Sequence, residues 1–314
     1  MKTINLPGIP KPVSQACLGT AYLGSREDEK TSYAIMDAYF EHSGHFFNTA
    51  HEYGDGLSER VVGKWIRERG VREEITLTSK CGEDRRIDNW CAMHAEDLFE
   101  DIDETLSRTG LDYVDFYLLH LDDPTVPAGE IVDAMHEIQQ KGKILHYGCS
   151  NWSCERIAQA NEWAEKHGYS GFVMDEIEMN MAYLNPTNPF KWMNDEVAAF
   201  HKKTGMAIGA YSSICNGLLT KYLRTGDTSM WDERQISVYA NEHTFERARR
   251  IGKVSNETGF SPTQIQLAWV LAQPHGLPCF PIVGARTVDQ LNDSLGALEC
   301  TLTKDTLDYL TNVD

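Results

Sequence analysis

Two hydrophobic rhythms alternate along the chain. Short, almost continuous apolar runs occupy 14–20, 46–50, 75–80, 114–120, 144–150, 171–177, 207–212 and 279–284. Continuous rather than alternating hydrophobicity is the mark of strands covered on both faces, as in a parallel sheet. Between the runs lie segments whose apolar residues recur every three or four positions. Over 57–69, Val61, Val62, Trp65 and Ile66 form one stripe against charged neighbours, and over 94–109 Leu98, Ile102 and Leu106 recur at a spacing of four. Similar segments span 130–141, 154–167, 193–204, 262–273 and 287–298.

Repeated strand–helix units with no linker predict an α/β fold, a single-domain (β/α)8 TIM barrel over residues 1–314. A doubly wound open sheet is the alternative, but it would usually carry a glycine-rich phosphate fingerprint, and neither GxGxxG nor GxxxxGK[ST] occurs. Two regions exceed the repeat. After the seventh strand, 213–258 reads as a long polar loop (KYLRTGDTSMWDERQ) with an extra helix near 242–257, and 303–311 reads as a short helix. In a barrel that loop lies on the functional face, a candidate lid or an insertion without a role.

Composition narrows the function. A 41% hydrophobic content over 314 residues supports a large core, and a formal net charge of −18 disfavours nucleic acid and anionic lipid as partners. No apolar run approaches the ~20 residues of a membrane span, and the opening MKTINLPGIPKP lacks a signal-peptide core. A cytoplasmic location and a small-molecule substrate are therefore expected, with the oligomeric state left open. The eight cysteines are scattered without CxxC pairs, so neither disulfides nor a metal cluster is expected.

Barrels keep their chemistry at the C-terminal ends of the strands. Those ends carry Asn48 and Tyr53, then Lys80, His120, Ser150 with Asn151, Glu176, and Tyr211. Any one of them is ordinarily structural. Together, a tyrosine, a lysine and a histidine supply a proton donor, a cation to lower its pKa, and a group to orient a carbonyl. An unperturbed phenol near pKa 10 is too weak an acid for neutral pH, and a neighbouring ammonium would pull it down. A neutral histidine would donate to the same substrate oxygen. This set suits interconversion of a carbonyl and an alcohol.

The chain resembles the aldo-keto reductases from LGTAYLG (18–24) to GARTVDQLNDSLGAL (284–298). The resemblance rests on FNTAHEYGDGLSERVVGKWI, ITLTSK, SRTGLDYVDFYLLH, YGCSNW and AYSSICNGLLTKY. It implies a barrel that binds NADPH or NADH extended, without a Rossmann domain. It also implies an oxidoreductase working by direct hydride transfer, with Tyr53 as proton donor and acceptor, Lys80 as its partner and His120 orienting the carbonyl. Ser150 and Asn151 match the pair that holds the nicotinamide carboxamide, and Tyr211 matches the aromatic stacked on the ring. Ser212 to Leu219, Gly217 included, would cover the pyrophosphate. Gly284, Arg286 and Gln290 fall in the segment that holds the adenosine ribose or its 2′-phosphate, and Arg286, the single cation there, favours NADP over NAD.

Three positions depart from the family pattern. Asn48 stands where an aspartate is salt-bridged to the lysine. The exchange should leave Lys80 less neutralised and lower Tyr53 further, while also making Lys80 harder to keep protonated, so the two ionisations are coupled and the outcome is either a shifted pH optimum or a weakened reductase. Glu176 stands where a glutamine usually meets the carboxamide, and an ionised carboxylate there should favour the oxidised cofactor. Ser294 replaces an asparagine that commonly contacts adenine. A cofactor-binding regulatory protein and a non-redox proton-abstraction enzyme are the alternatives on the same scaffold.

Tyr22, Trp90, Trp152 and Trp231 are candidate substrate-pocket aromatics, although aromatic residues more often belong to a core. His51 has no second ligand at metal-binding spacing and reads as a pocket or surface residue. The acidic run at 96, 97, 100, 101, 103 and 104 reads as a solvated helix face, and Pro186 and Pro189 as loop residues.

Overall fold

Eight parallel strands close on themselves in the computed structural model, which describes residues 1–6, 13–83, 91–185, 191–272 and 276–312. An antiparallel pair of two-residue strands, β1 (Thr3–Ile4) and β2 (Val13–Ser14), precedes the barrel. The barrel strands are β3 (Cys17–Gly19), β4 (Phe46–Asn48), β5 (Thr76–Cys81), β6 (Val114–Leu119), β7 (Ile144–Ser150), β8 (Phe172–Glu178), β9 (Ala207–Tyr211) and β10 (Cys279–Gly284). They neighbour one another in chain order, and β10 pairs with β3 to close the ring. All eight expected strands are present, and the first is shorter than its run, since Ser14 belongs to β2.

The helices are α1 (Glu29–Glu41), α2 (Leu57–Arg69), α3 (Ala95–Thr109), α4 (Ala128–Gln140), α5 (Cys154–His167) and α6 (Asp195–Thr204). They continue with α7 (Leu218–Thr225), α8 (Glu233–Tyr239), α9 (Glu242–Thr258), α10 (Pro262–Leu271), α11 (Val288–Leu295) and α12 (Lys304–Thr311). The predicted stripe of α2 is the buried one, with Val62, Trp65 and Ile66 fully inaccessible against the barrel. Inside the barrel, Phe46, Phe116, Met174 and Phe280 fill the floor and exclude water from beneath the strand ends.

Two differences from the sequence reading matter for the site. The segment after β9 is not a long polar loop. It folds into α7 and α8 before α9, because its few apolar side chains converge: Leu218, Trp231 and Cys215 form one buried cluster with Ala182 from the segment after β8, flanked by Tyr222, Tyr239 and Phe245. The polar WDERQ stretch is itself a helix start, with Asp232 and Gln235 forming a reciprocal capping box. Tyr239 then donates from its hydroxyl to Glu178 at the end of β8, tying the insertion to the barrel rim. In addition, α1 has no counterpart in the sequence reading; its buried stripe is Ser32, Ile35, Met36 and Tyr39, in which the serine breaks the apolar pattern.

Candidate active site

The turn after β4 delivers Tyr53 to the rim. Gly54, Asp55 and Gly56 all adopt left-handed backbone (φ 60°, 54° and 81°), and α2 starts directly after them. Glycine suits two of these positions because it has no Cβ to clash. The turn is braced from behind. Arg108 on α3 donates to the carbonyl of His51 at 2.9 Å and pairs with the fully buried Glu59 at 3.3 Å, and Glu59 accepts from Ser79 at 2.7 Å.

Lys80, on β5, reaches into the barrel mouth. Its ammonium donates to Asn48 Oδ1 at 2.6 Å, to the Thr49 carbonyl at 3.0 Å and to the Tyr53 hydroxyl at 3.4 Å. Glu176 Oε2, from β8, pairs with the same ammonium at 3.2 Å. The other Glu176 oxygen accepts from Asn48 Nδ2, so the amide bridges ammonium and carboxylate. Lys80, Glu176 and Asn48 are only 1%, 1% and 2% exposed. Breaking such a buried pair from one side costs about 3–5 kcal/mol, because the remaining charge is stranded.

This geometry corrects one expectation. Asn48 does not leave Lys80 short of negative charge, since Glu176 supplies it from the other side of the barrel. One Glu176 oxygen faces Lys80 and the other accepts from Asn48, and each keeps a further lone pair. The net effect on Tyr53 also runs against the expected lowering. Burial pushes its pKa up, Lys80 opposes this, and Glu176 adds to the rise. For Lys80 burial pulls downward, but Glu176 and Tyr53 outweigh it and the net shift is upward.

His120 lies beside Tyr53, the two rings meeting edge to face at 5.7 Å. Its Nδ1 is 2.8 Å from the carboxylate of Glu83, a residue the sequence reading did not single out. At the end of β7, Ser150 donates to the Glu176 carbonyl at 2.8 Å, and Asn151 donates to the His120 carbonyl at 3.2 Å. The Tyr211 hydroxyl donates to Asn151 Oδ1 at 2.7 Å. Asn151 and Ser212 both hold left-handed backbone (φ 62° and 51°), an unusual conformation for residues with a side chain.

The remaining expected residues divide by position. Gly217, in left-handed conformation, precedes α7 and offers no side-chain cap; the Leu218 N–H donates to the Cys215 carbonyl, and the N–H groups that follow it are left for an anion. Leu219 is fully buried in α7. Gly284 is exposed at the end of β10, with open space where a Cβ would stand. Arg286 extends over the rim, 57% exposed, with Nε 2.5 Å from Glu27, and its backbone N–H donates to Gln290 Oε1 at 3.0 Å. Ser294 is 5% exposed, within the packed face of α11.

Of the pocket aromatics, Tyr22 is half-buried under the Arg26 guanidinium. Trp152 is buried, donating from Nε1 to the Leu121 carbonyl at 2.8 Å, and Trp231 belongs to the packed cluster of the insertion. Trp90, like Pro186 and Pro189, lies outside the described residues. A cavity of about 640 Å³ opens beside Asn151, lined in part by Cys91, Leu121, Asp122, Arg156 and Lys191.

His51 is buried, with Nε2 2.9 Å from Glu104 and 3.7 Å from Asp101. The acidic face of α3 is therefore only partly solvated, since Asp101 also accepts from the Gly82 N–H at 2.8 Å. Burial raises the Asp101 carboxyl to about 6, with His51 opposing. Among the described residues no group of three potential ligands could hold a metal ion, and no helix is long and apolar enough to cross a membrane. All eight cysteines are free thiols.

The polar groups at the ends of β7, β8 and β9, the open start of α7 and the exposed Arg286 fit a nicotinamide dinucleotide laid across the rim. Asn151 Oδ1 keeps a second lone pair for an amide N–H after accepting from Tyr211. A family profile described as the aldo/keto reductase family matches residues 16–314. The chain is 30% identical to "Uncharacterized oxidoreductase YrpG" of Bacillus subtilis, covering 96% of this chain and 92% of that one. It is 27% identical to "Aldo-keto reductase ausK" of Aspergillus calidoustus, over 94% of this chain and 75% of the relative. It is 24% identical to "Aryl-alcohol dehydrogenase [NADP(+)]" of Phanerodontia chrysosporium, over 97% and 83%.

Proposed function

The chain belongs to the aldo/keto reductase family and is an NAD(P)-dependent oxidoreductase of carbonyl–alcohol chemistry; from that premise we propose that Tyr53 is its proton donor and acceptor. The observation carrying this reading is the Lys80 ammonium 3.4 Å from the Tyr53 hydroxyl, in a site where Lys80 itself is held by buried partners. Bound NAD(P)H supplies a hydride to the carbonyl carbon. Tyr53 gives its phenolic proton to the carbonyl oxygen in reduction and, as phenolate, takes one from the alcohol in oxidation. Lys80 stabilises that phenolate, because an adjacent cation favours the anion. His120 orients the substrate oxygen beside Tyr53.

Ser150 and Asn151 hold the carboxamide, the latter through the free lone pair of its side-chain oxygen. Tyr211, fixed by its hydroxyl bond to Asn151, offers its ring face to the nicotinamide. The start of α7 receives the pyrophosphate, and Arg286 receives the adenosine 2′-phosphate, which favours NADP. An aryl aldehyde is the first choice in a substrate panel, because one relative is named as an aryl-alcohol dehydrogenase.

The test follows the loss of NADPH absorbance with aryl and aliphatic aldehydes and ketones, for the wild type and for Tyr53→Phe. The reading expects turnover by the wild type and a loss of at least about 100-fold in Tyr53→Phe, the scale on which a positioned acid contributes. Equal turnover by the two proteins overturns the role of Tyr53.

A further inference from the structure

A buried ammonium needs a counter-charge, and the one at Lys80 comes from an unexpected strand. Asn48, one strand away from Lys80 and in register with Thr78, is neutral. The carboxylate within reach is Glu176, on β8, which is not a neighbour of β5 in the sheet. Asn48 suits this arrangement better than an aspartate would. Its carbonyl oxygen accepts from Lys80 while its NH₂ donates to Glu176, and an ionised carboxylate lacks the second function.

The neighbouring strand is shaped to admit Glu176. Gly209 on β9 pairs in register with it, and a Cβ at 209 would stand 2.8 Å from Glu176 Cγ. The carboxylate stem therefore crosses the barrel through space that a side chain at 209 would occupy. Carboxylate, amide and glycine lie on three different strands and serve one ammonium.

We propose that Glu176 is the positioning residue of this site, supplying from β8 the counter-charge that holds the Lys80 ammonium at the Tyr53 hydroxyl, with Asn48 as a neutral clamp between them. The catalytic consequence rests on the reading of Tyr53 above. The electrostatic pairing stands independently of it.

The test uses three variants of the full chain: Glu176→Gln, Asn48→Asp, and the two combined. The first strands Lys80 without a carboxylate, and the second places two carboxylates around one ammonium. The combination restores one carboxylate and one amide with their strands exchanged. Each single variant is expected to lower the thermal midpoint by about 5 °C or more and kcat by about tenfold or more. The combined variant should return the midpoint to near wild type and kcat to within about threefold.

The pH dependence of alcohol oxidation adds a readout that packing alone would not move. The charged and titratable groups around Tyr53 are Lys80, Glu176, Glu83, His120 and Tyr211. Removing Glu176 leaves the field of Lys80 less opposed, so oxidation should rise at lower pH in Glu176→Gln and return in the combined variant. If Glu176→Gln keeps the wild-type midpoint, kcat and pH profile, or if the combined variant is no better than the worse single one, the proposal is overturned. Should Glu176→Gln fail to fold, a folded combined variant supports the proposal and an unfolded one overturns it. If the wild type turns over no carbonyl, the functional reading fails while the midpoints still decide the pairing.

Discussion

The carboxylate of Glu83 lies 2.8 Å from Nδ1 of His120, so the ring nitrogen facing the carboxylate carries the proton. Nε2 is left to face the substrate oxygen, and Glu83 fixes the orientation of the ring beside Tyr53. Glu83→Ala should lower kcat/KM for carbonyl reduction by about tenfold to a hundredfold, the value of one charge-assisted hydrogen bond. Glu83→Gln, which keeps an acceptor oxygen, should recover part of the loss. An unchanged kcat/KM in Glu83→Ala would contradict this role.

Tyr53 makes the next prediction, through the sign of its shift. Burial raises its pKa, and Lys80 compensates only in part. The phenolate required to accept an alcohol proton is thus scarce at neutral pH and grows as pH rises toward and beyond the ordinary tyrosine value of about 10. Alcohol oxidation should climb continuously through the alkaline range without an earlier plateau. A pH–rate profile levelling off near neutrality would mean that Lys80 dominates after all.

Arg286 is engaged before any phosphate arrives, since its Nε pairs with Glu27 at 2.5 Å. An incoming 2′-phosphate must share or displace that carboxylate. Glu27→Gln should strengthen NADPH binding relative to NADH by about two- to fivefold, the range that exposed ion pairs reach. Arg286→Ala should reduce the NADPH preference. Fluorescence titration with both cofactors reads both effects, and an unchanged ratio in both variants would remove Arg286 from cofactor selection.

Trp231 separates packing from substrate contact. It is 6% exposed and sits within ring-contact distance of Tyr222 and Phe245. Truncation to alanine should cost about 3–5 kcal/mol of stability in the insertion, as large-to-small changes of buried aromatics do. Limited proteolysis between α7 and α9 should accelerate accordingly. A variant with wild-type stability but a raised substrate KM would return Trp231 to the pocket.

Much of this architecture is legible from the sequence because barrel strands bury both faces and so write themselves as apolar runs. The strand-end positions of Tyr53, Lys80, His120 and Asn151 follow once the strands are found. Other features leave weaker traces. In α1 the buried Ser32 breaks the apolar stripe, and in the insertion Leu218 and Trp231 are too few and too far apart to show a period, although the Asp232–Gln235 capping box was readable. The Glu176–Lys80 pair has no local signature at all. Its members come from strands that are not neighbours and meet only because the barrel closes, while Asn48, read alone, pointed toward a missing charge.

Gly209 provides a test of that pairing which leaves every charged group in place. A methyl at this position would meet Glu176 Cγ at 2.8 Å, Phe280 Cζ at 3.3 Å and Ile282 Cδ1 at 3.4 Å. The last two are ordinary or slightly tight contacts, so the clash falls mainly on the carboxylate stem. Overpacking of this kind costs about 1–3 kcal/mol, a modest loss for a barrel of this size. If Glu176 only filled space, Gly209→Ala would lower stability and leave kcat near wild type. If it holds Lys80, displacing its stem loosens the ammonium from Tyr53, and kcat should fall by about tenfold or more while the fold survives. Alcohol oxidation should then rise with pH at lower values than in the wild type, because the carboxylate that opposes the phenolate has moved away. Stability and kcat both unchanged would mean that the barrel mouth accommodates the methyl group without moving Glu176.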